Sequence, residues 1–159
     1  MTAIQTLNKV VELAAKRRDE ALSHLAQLQR EMQMAQDQMS QLQAYAGEAE
    51  QRWAARGSTG IDASLLHHHR QFMAKIDHAM EFQRGVIGQR QAQIDQARQQ
   101  VVVAERDVAG LRKYTDRKLQ ALLQTAQRQE QKQTDEMALA IHMRQSLAHA
   151  ASMNKGSQP

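Results

Sequence analysis

Fifteen positions in the first third of this chain follow one unbroken alternation of threes and fours: Ile4, Leu7, Val11, Ala14, Arg18, Ala21, Leu25, Leu28, Met32, Ala35, Met39, Leu42, Ala46, Ala49 and Trp53. All but Arg18 are apolar. An isolated surface helix has no reason to keep a heptad register over such a length, so the stretch requires a partner helix along all of it. The partner is in the same chain. Met73, Ile76, Met80, Ile87, Ile94, Ala97, Val101, Ala104, Val108 and Leu111 repeat the alternation, with Gln83 and Arg90 in its two polar slots.

Between the two registers lies Gly57-Ser58-Thr59-Gly60, preceded by Arg52 and Arg56, cations suited to the negative end of a helix dipole. Thr59 or Asp62 can accept from the free amides that open the next helix. The reading is a single all-α coiled-coil domain: helix one at about 3–56, a loop at 57–61, helix two at about 62–152 and a tail at 153–159. The short loop makes the hairpin antiparallel. Folding about it places Leu42 by Asp77, Leu25 by Ile94 and Ala14 by Glu105.

The helices are unequal. At 1.5 Å per residue helix one is roughly 80 Å long and helix two roughly 135 Å, which leaves about 50 Å of the second helix unpaired. After Leu111 the register slips: Thr115 and Lys118 fill the expected slots, and Leu119, Leu122 and Ala126 continue the stripe one residue later, a stutter that relaxes supercoiling. The overhang still holds Leu119, Leu122, Leu123, Met137, Ile141 and Leu147, which must either fray in isolation or bury themselves in a partner.

Composition agrees with helix throughout. The chain has one proline, at Pro159, and 25 glutamines, and only 3% of its 159 residues are aromatic. Without cysteine there is neither a disulfide nor a thiolate metal site, which fits a reducing compartment. The longest apolar run, Val101 to Ala104, is far short of the roughly 20 residues of a spanning helix, and no apolar signal core opens the chain, so a soluble, cytoplasmic protein is expected. The net charge of +4 permits an acidic partner, but the cations are scattered among acids, as on a solvated helix face, and no nucleic-acid binding is expected.

Little here suggests catalysis. His67, His68 and His69 point about 100° apart on a helix and cannot converge on one metal ion, so they read as solvated histidines. The pairs Asp19-Glu20 and Asp135-Glu136 have no pocket to shift a pKa, and no phosphate-binding loop or nucleophile elbow occurs. No enzyme activity, metal or cofactor is expected. Beside the seam, Gln38, Leu42, Tyr45 and Ala49 take g and d positions of helix one, and Phe72, Ile76, Ala79 and Gln83 take the same letters on helix two. In an antiparallel pair the g edges face each other, so Tyr45 and Phe72 share an edge a few turns from the loop. They either shield the seam or form a docking surface.

The seam from Leu7, the Gln38, Leu42, Tyr45 strip, Gly60-Ile61 at the loop, Gln71-Phe72 with Ala79, and the charged Gln131-Lys132-x-x-Asp135-Glu136 together resemble the FliJ family. This is the coiled-coil component of the bacterial flagellar type III export apparatus, and the likeness covers nearly the whole chain. The resemblance implies a non-enzymatic stalk built like the rotary ATPase gamma subunit, inserted into the ring of the flagellar export ATPase FliI and coupling it to the export gate protein FlhA. It implies a place at the cytoplasmic side of the inner membrane, without insertion into it, and an escort role toward export chaperones. The family's gate-binding pattern carries over to Gln38, Leu42, Tyr45, Phe72, Ile76 and Ala79; at Ala49 the family has an aromatic and at Gln83 a histidine. Contacts with the ATPase ring are expected at the open end, from Arg117, Lys118, Leu119, Leu122, Leu123, Arg128 and Lys132. Rival readings are the equivalent stalk of a virulence secretion system, a structural coiled coil that self-associates through the overhang, and a binder of nucleic acid or anionic membrane driven by positive charge.

Overall fold

The computed structural model describes residues 2–57 and 60–156. Two helices account for nearly all of them: α1, Ala3–Arg56, of 54 residues, and α2, Ala63–Lys155, of 93. They pack antiparallel as a coiled-coil hairpin, with no strand among the described residues. α2 runs through Lys155, past residue 152, while the expected tail residues Ser157, Gln158 and Pro159, like the candidate cap Thr59, lie outside the described residues.

Local chemistry sets the helix ends. Thr2 and Gln5 form a capping box before α1: the Gln5 amide donates to Thr2 Oγ1 at 3.3 Å and the Thr2 amide donates back to Gln5 Oε1 at 3.2 Å, so two otherwise free donors are satisfied. At the other end Gly57 N–H donates to Trp53 O at 3.0 Å. Gly60 has φ +89°, a backbone state that costs a side chain with a Cβ but not glycine. Asp62 immediately precedes α2, its carbonyl accepting the first helical bond from Leu66 N–H at 3.1 Å.

The chain divides into two compact units. The first to consider is residues 12–109, in which α1 and α2 meet over most of their paired length. Leu28, Met32, Ile94 and Ala97 make its buried cluster, flanked by Leu25 and Ile87. In a coiled coil such a and d side chains interlock by inserting as knobs between four residues of the facing helix. Two polar residues share that seam. Gln83 is only 8% exposed, and its Nε2 donates to Ala35 O at 2.8 Å and to Gln38 Oε1 at 3.2 Å, so the buried amide is satisfied. Arg90 pairs with Glu31 at 3.1 Å; both side chains are about a third exposed, so this pair contributes at most about 1 kcal/mol and acts mainly on register. Glu31 thus meets a residue two places beyond Gly88, the position that folding about the loop assigns to it.

The cluster predicts a stability effect. Ile94 is 4% exposed, so Ile94→Ala removes three buried carbons from a closed seam and is expected to cost about 2–4 kcal/mol. Urea unfolding followed by circular dichroism should show a lower midpoint at unchanged slope, and an unshifted midpoint would show that the seam collapses onto the gap.

The second unit comprises residues 1–11 and 110–159. The start of α1 lies here against the stretch of α2 around Tyr114. Thr115 takes its a slot at 8% exposure and returns its hydroxyl to Leu111 O at 2.8 Å, a polar side chain kept in the seam by its own helix. Beyond it, every described residue from Asp116 to Gly156 is exposed. This is the unpaired C-terminal extension of the second helix.

Candidate functional site

With the seam occupied by the chain itself, the available surfaces are its flanks and the extension. All fifteen alternating positions of α1 are buried or half-buried, as are all twelve of the α2 register from Met73 to Leu111, Gln83 and Arg90 included. The flank is different. Tyr45 is 58% exposed and Phe72 49%, so neither ring is drawn into the seam. Leu42 and Ala79 are half-buried between the seam and this edge. Gln38 is exposed, its amide oxygen held by Gln83, which orients it along the helix edge. Ile76 lies at 7% exposure inside the seam, where it backs the flank instead of facing solvent.

Continuing the α2 register backward from Met73 puts His69 at d and Leu66 at a, and both are half-buried. His69 is therefore not the solvated histidine expected for the whole triplet: its ring stacks on Trp53 at 4.3 Å between centroids and 6° between planes. The stack closes the seam near the loop with two flat surfaces, and the extended register was the signal for it. His67 and His68 are exposed, their rings 6.4 Å apart and tilted by 54°. No group of three or more histidine, aspartate or glutamate side chains among the described residues is placed to hold a metal ion. No helix formed by them is long and apolar enough to cross a membrane.

At the open end, within the second unit, Ala3, Ile4, Thr6 and Leu7 of α1 and Tyr114, Lys118 and Leu122 of α2 line a shallow groove of about 530 Å³. Lys118 Nζ sits 5.7 Å from the Tyr114 ring centroid, within cation–π range. Lys118 and Leu122, two of the residues expected at an ATPase contact, are brought together here; Arg117, Leu119, Leu123, Arg128 and Lys132 are exposed along the same helix. Between Arg112 and Lys132 six cations face two acids, Asp116 and Glu130, so this stretch favours an acidic partner.

The family described as "Flagellar FliJ protein" matches residues 3–147. The chain belongs to the FliJ family. FliJ proteins are structural adaptors of flagellar protein export, and the match takes in both helices and most of the extension. Among solved structures, the chain is similar to a protein described as a YscO homolog, CT670 from Chlamydia trachomatis. The TM-score is 0.67 at 14% identity, covering 98% of this chain and 94% of that one. At that identity the likeness is one of fold: a FliJ-family chain and that protein share the hairpin. A search of curated proteins gives no match.

Proposed function

We propose that this FliJ-family chain is the non-enzymatic stalk of a flagellar type III export apparatus, which enters the ring of the export ATPase by its open end and meets the export gate by its hairpin flank. The family match over residues 3–147 carries the reading. The geometry supports it in two ways. A two-helix seam resists bending and twisting better than one helix, which a shaft acting on several ring subunits needs. The extension then offers leucines and cations to whatever surrounds it, and only a concave or multi-subunit partner can cover a helix exposed on every side. The flank, with Tyr45 and Phe72 half out of the seam beside Gln38, Leu42 and Ala79, is the docking edge for the gate, and Ile76 supports it from beneath. On this reading the protein works at the cytoplasmic face of the inner membrane, peripheral to it, and its remaining surface serves an escort role toward export chaperones.

The hairpin would serve the stalk of a virulence secretion system equally well; the match to a flagellar family favours the first reading. Co-purification of the full chain with its organism's ring ATPases tests it. Retention by the flagellar export ATPase, with a rise in its hydrolysis rate, is the expected result. Retention by a virulence ATPase alone transfers the stalk to that system, and retention by neither overturns it.

A further inference from the structure

Two glutamines of α1 with a carboxylate four residues on donate to it: Gln27 Nε2 to Glu31 Oε1 at 3.4 Å and Gln33 Nε2 to Asp37 Oδ1 at 3.0 Å. Gln38 has Leu42 at that spacing, so its own helix holds no carboxylate for it there. Its side chain is tied across the seam instead, to Gln83.

That tie has a fixed sense. A main-chain carbonyl only accepts, so the Gln83 atom 2.8 Å from Ala35 O is the amide nitrogen. This nitrogen carries two hydrogens and sends the other to Gln38 at 3.2 Å, where only an oxygen can receive it. Gln38 Oε1 is thereby turned to the seam, and the Gln38 NH2 is left on the exposed side, with no acceptor among the described residues. Gln83, buried, cannot turn over without setting its own oxygen against the Ala35 carbonyl.

We propose that Gln83 is a positioning residue that fixes Gln38 as a donor-only contact on the docking edge, and that the partner answers it with a neutral carbonyl oxygen. The proposal rests on the reading of the Tyr45 and Phe72 flank as the gate-binding edge, and adds the polarity which that edge recognises. The turn neighbours of Gln38, which are Met34, Ala35, Gln41 and Leu42, are all uncharged. A partner that covers Met34, 63% exposed, and Leu42 shuts this amide off from water. A carboxylate brought there would lose its hydration without gaining a counter-charge, whereas a carbonyl needs only the two N–H groups that Gln38 presents. A partner showing an N–H or O–H at the same point would meet no acceptor, so the edge discriminates by an unpaired group as well as by a paired one.

The first measurement needs the chain alone. In its NMR spectrum the Gln83 side-chain NH2 should exchange with water slowly and that of Gln38 fast; the reverse order would overturn the fixed sense of the bond. The second is calorimetry against the isolated cytoplasmic part of the gate protein. Gln38→Glu keeps an acceptor for Gln83 and removes the donor, and should weaken binding at least about tenfold. Gln83→Leu keeps the seam slot filled but frees Gln38, and should weaken it about three- to tenfold. Made in a Gln38→Ala chain, the same Gln83→Leu change should alter affinity less than about twofold. A loss that persists in that background would mean that Gln83 acts by contact or through the fold, and would overturn its positioning role. Tighter binding by Gln38→Lys would mark a carboxylate in the partner and overturn the neutral acceptor. Absence of all binding by the unmodified chain would overturn the gate reading and this proposal with it, whereas binding that Gln38→Glu leaves unaltered would overturn this proposal alone.

Discussion

A chain truncated after Leu119 is expected to lose all stimulation of the export ATPase while its hairpin stays folded. Nearly all of the paired seam is kept: Val108, Leu111 and Thr115 are retained, only Leu122 at the groove beside Ile4 and Leu7 is lost from it, and every described residue that is removed is exposed. Removing exposed helix deletes few native contacts, so mean helicity per residue should hold and the thermal midpoint should move by only a few degrees. The loss to the partner is large by contrast. Leu122, Leu123 and Ile141 are each about half exposed, and burying even two such side chains in a ring contributes about 3–6 kcal/mol, a factor of a hundred or more in affinity. Hydrolysis assays over a titration of each protein check this, with helicity and gate binding as controls. Undiminished stimulation by the truncated chain would move the ring contact to the hairpin.

The double variant Tyr45→Ala with Phe72→Ala should reduce gate affinity by at least about thirtyfold, with the fold unperturbed. Each ring shows about half of its surface to solvent, so roughly 100 Å² per ring remains for a partner to cover, worth about 2.5 kcal/mol at the usual area coefficient. Such anchors do not add fully, which is why the expected loss lies below the sum of the two. Because the buried seam beneath them, Ile76 included, is left intact, the urea midpoint should change little. Binding to the isolated cytoplasmic part of the gate protein, followed by calorimetry, gives the answer. An unaltered affinity would return both aromatics to shielding the seam.

Much of the fold can be read from spacing alone. The alternation of threes and fours names the seam of α1 from Ile4 to Trp53 without error, and it even places Gln83 and Arg90, polar residues that composition alone would send to the surface. Periodicity succeeds there because a helix converts position in sequence directly into direction around an axis. The same rule, carried back from Met73, also reaches His69. The flank was legible as a set of heptad letters, and the family match over residues 3–147 agrees with the resemblance of the chain as a whole.

What spacing leaves open is distance along the axis and depth beneath the surface. Register says which side of α2 meets α1, but the axial offset that brings Glu31 to Arg90 is set by how the side chains of the two helices settle against each other. That settling also separates neighbours of similar letter, with Ile76 in the seam and Phe72 half out of it, and it turns a histidine into a flat partner for Trp53. The chain's own order of residues determined that two helices would pair antiparallel and that the second would outrun the first. Which side chains are spent inside that pairing, and which stay free for another protein, was decided only in three dimensions, because burial depends on what the opposite helix brings to each point of the seam and not on the letter a residue holds in its own.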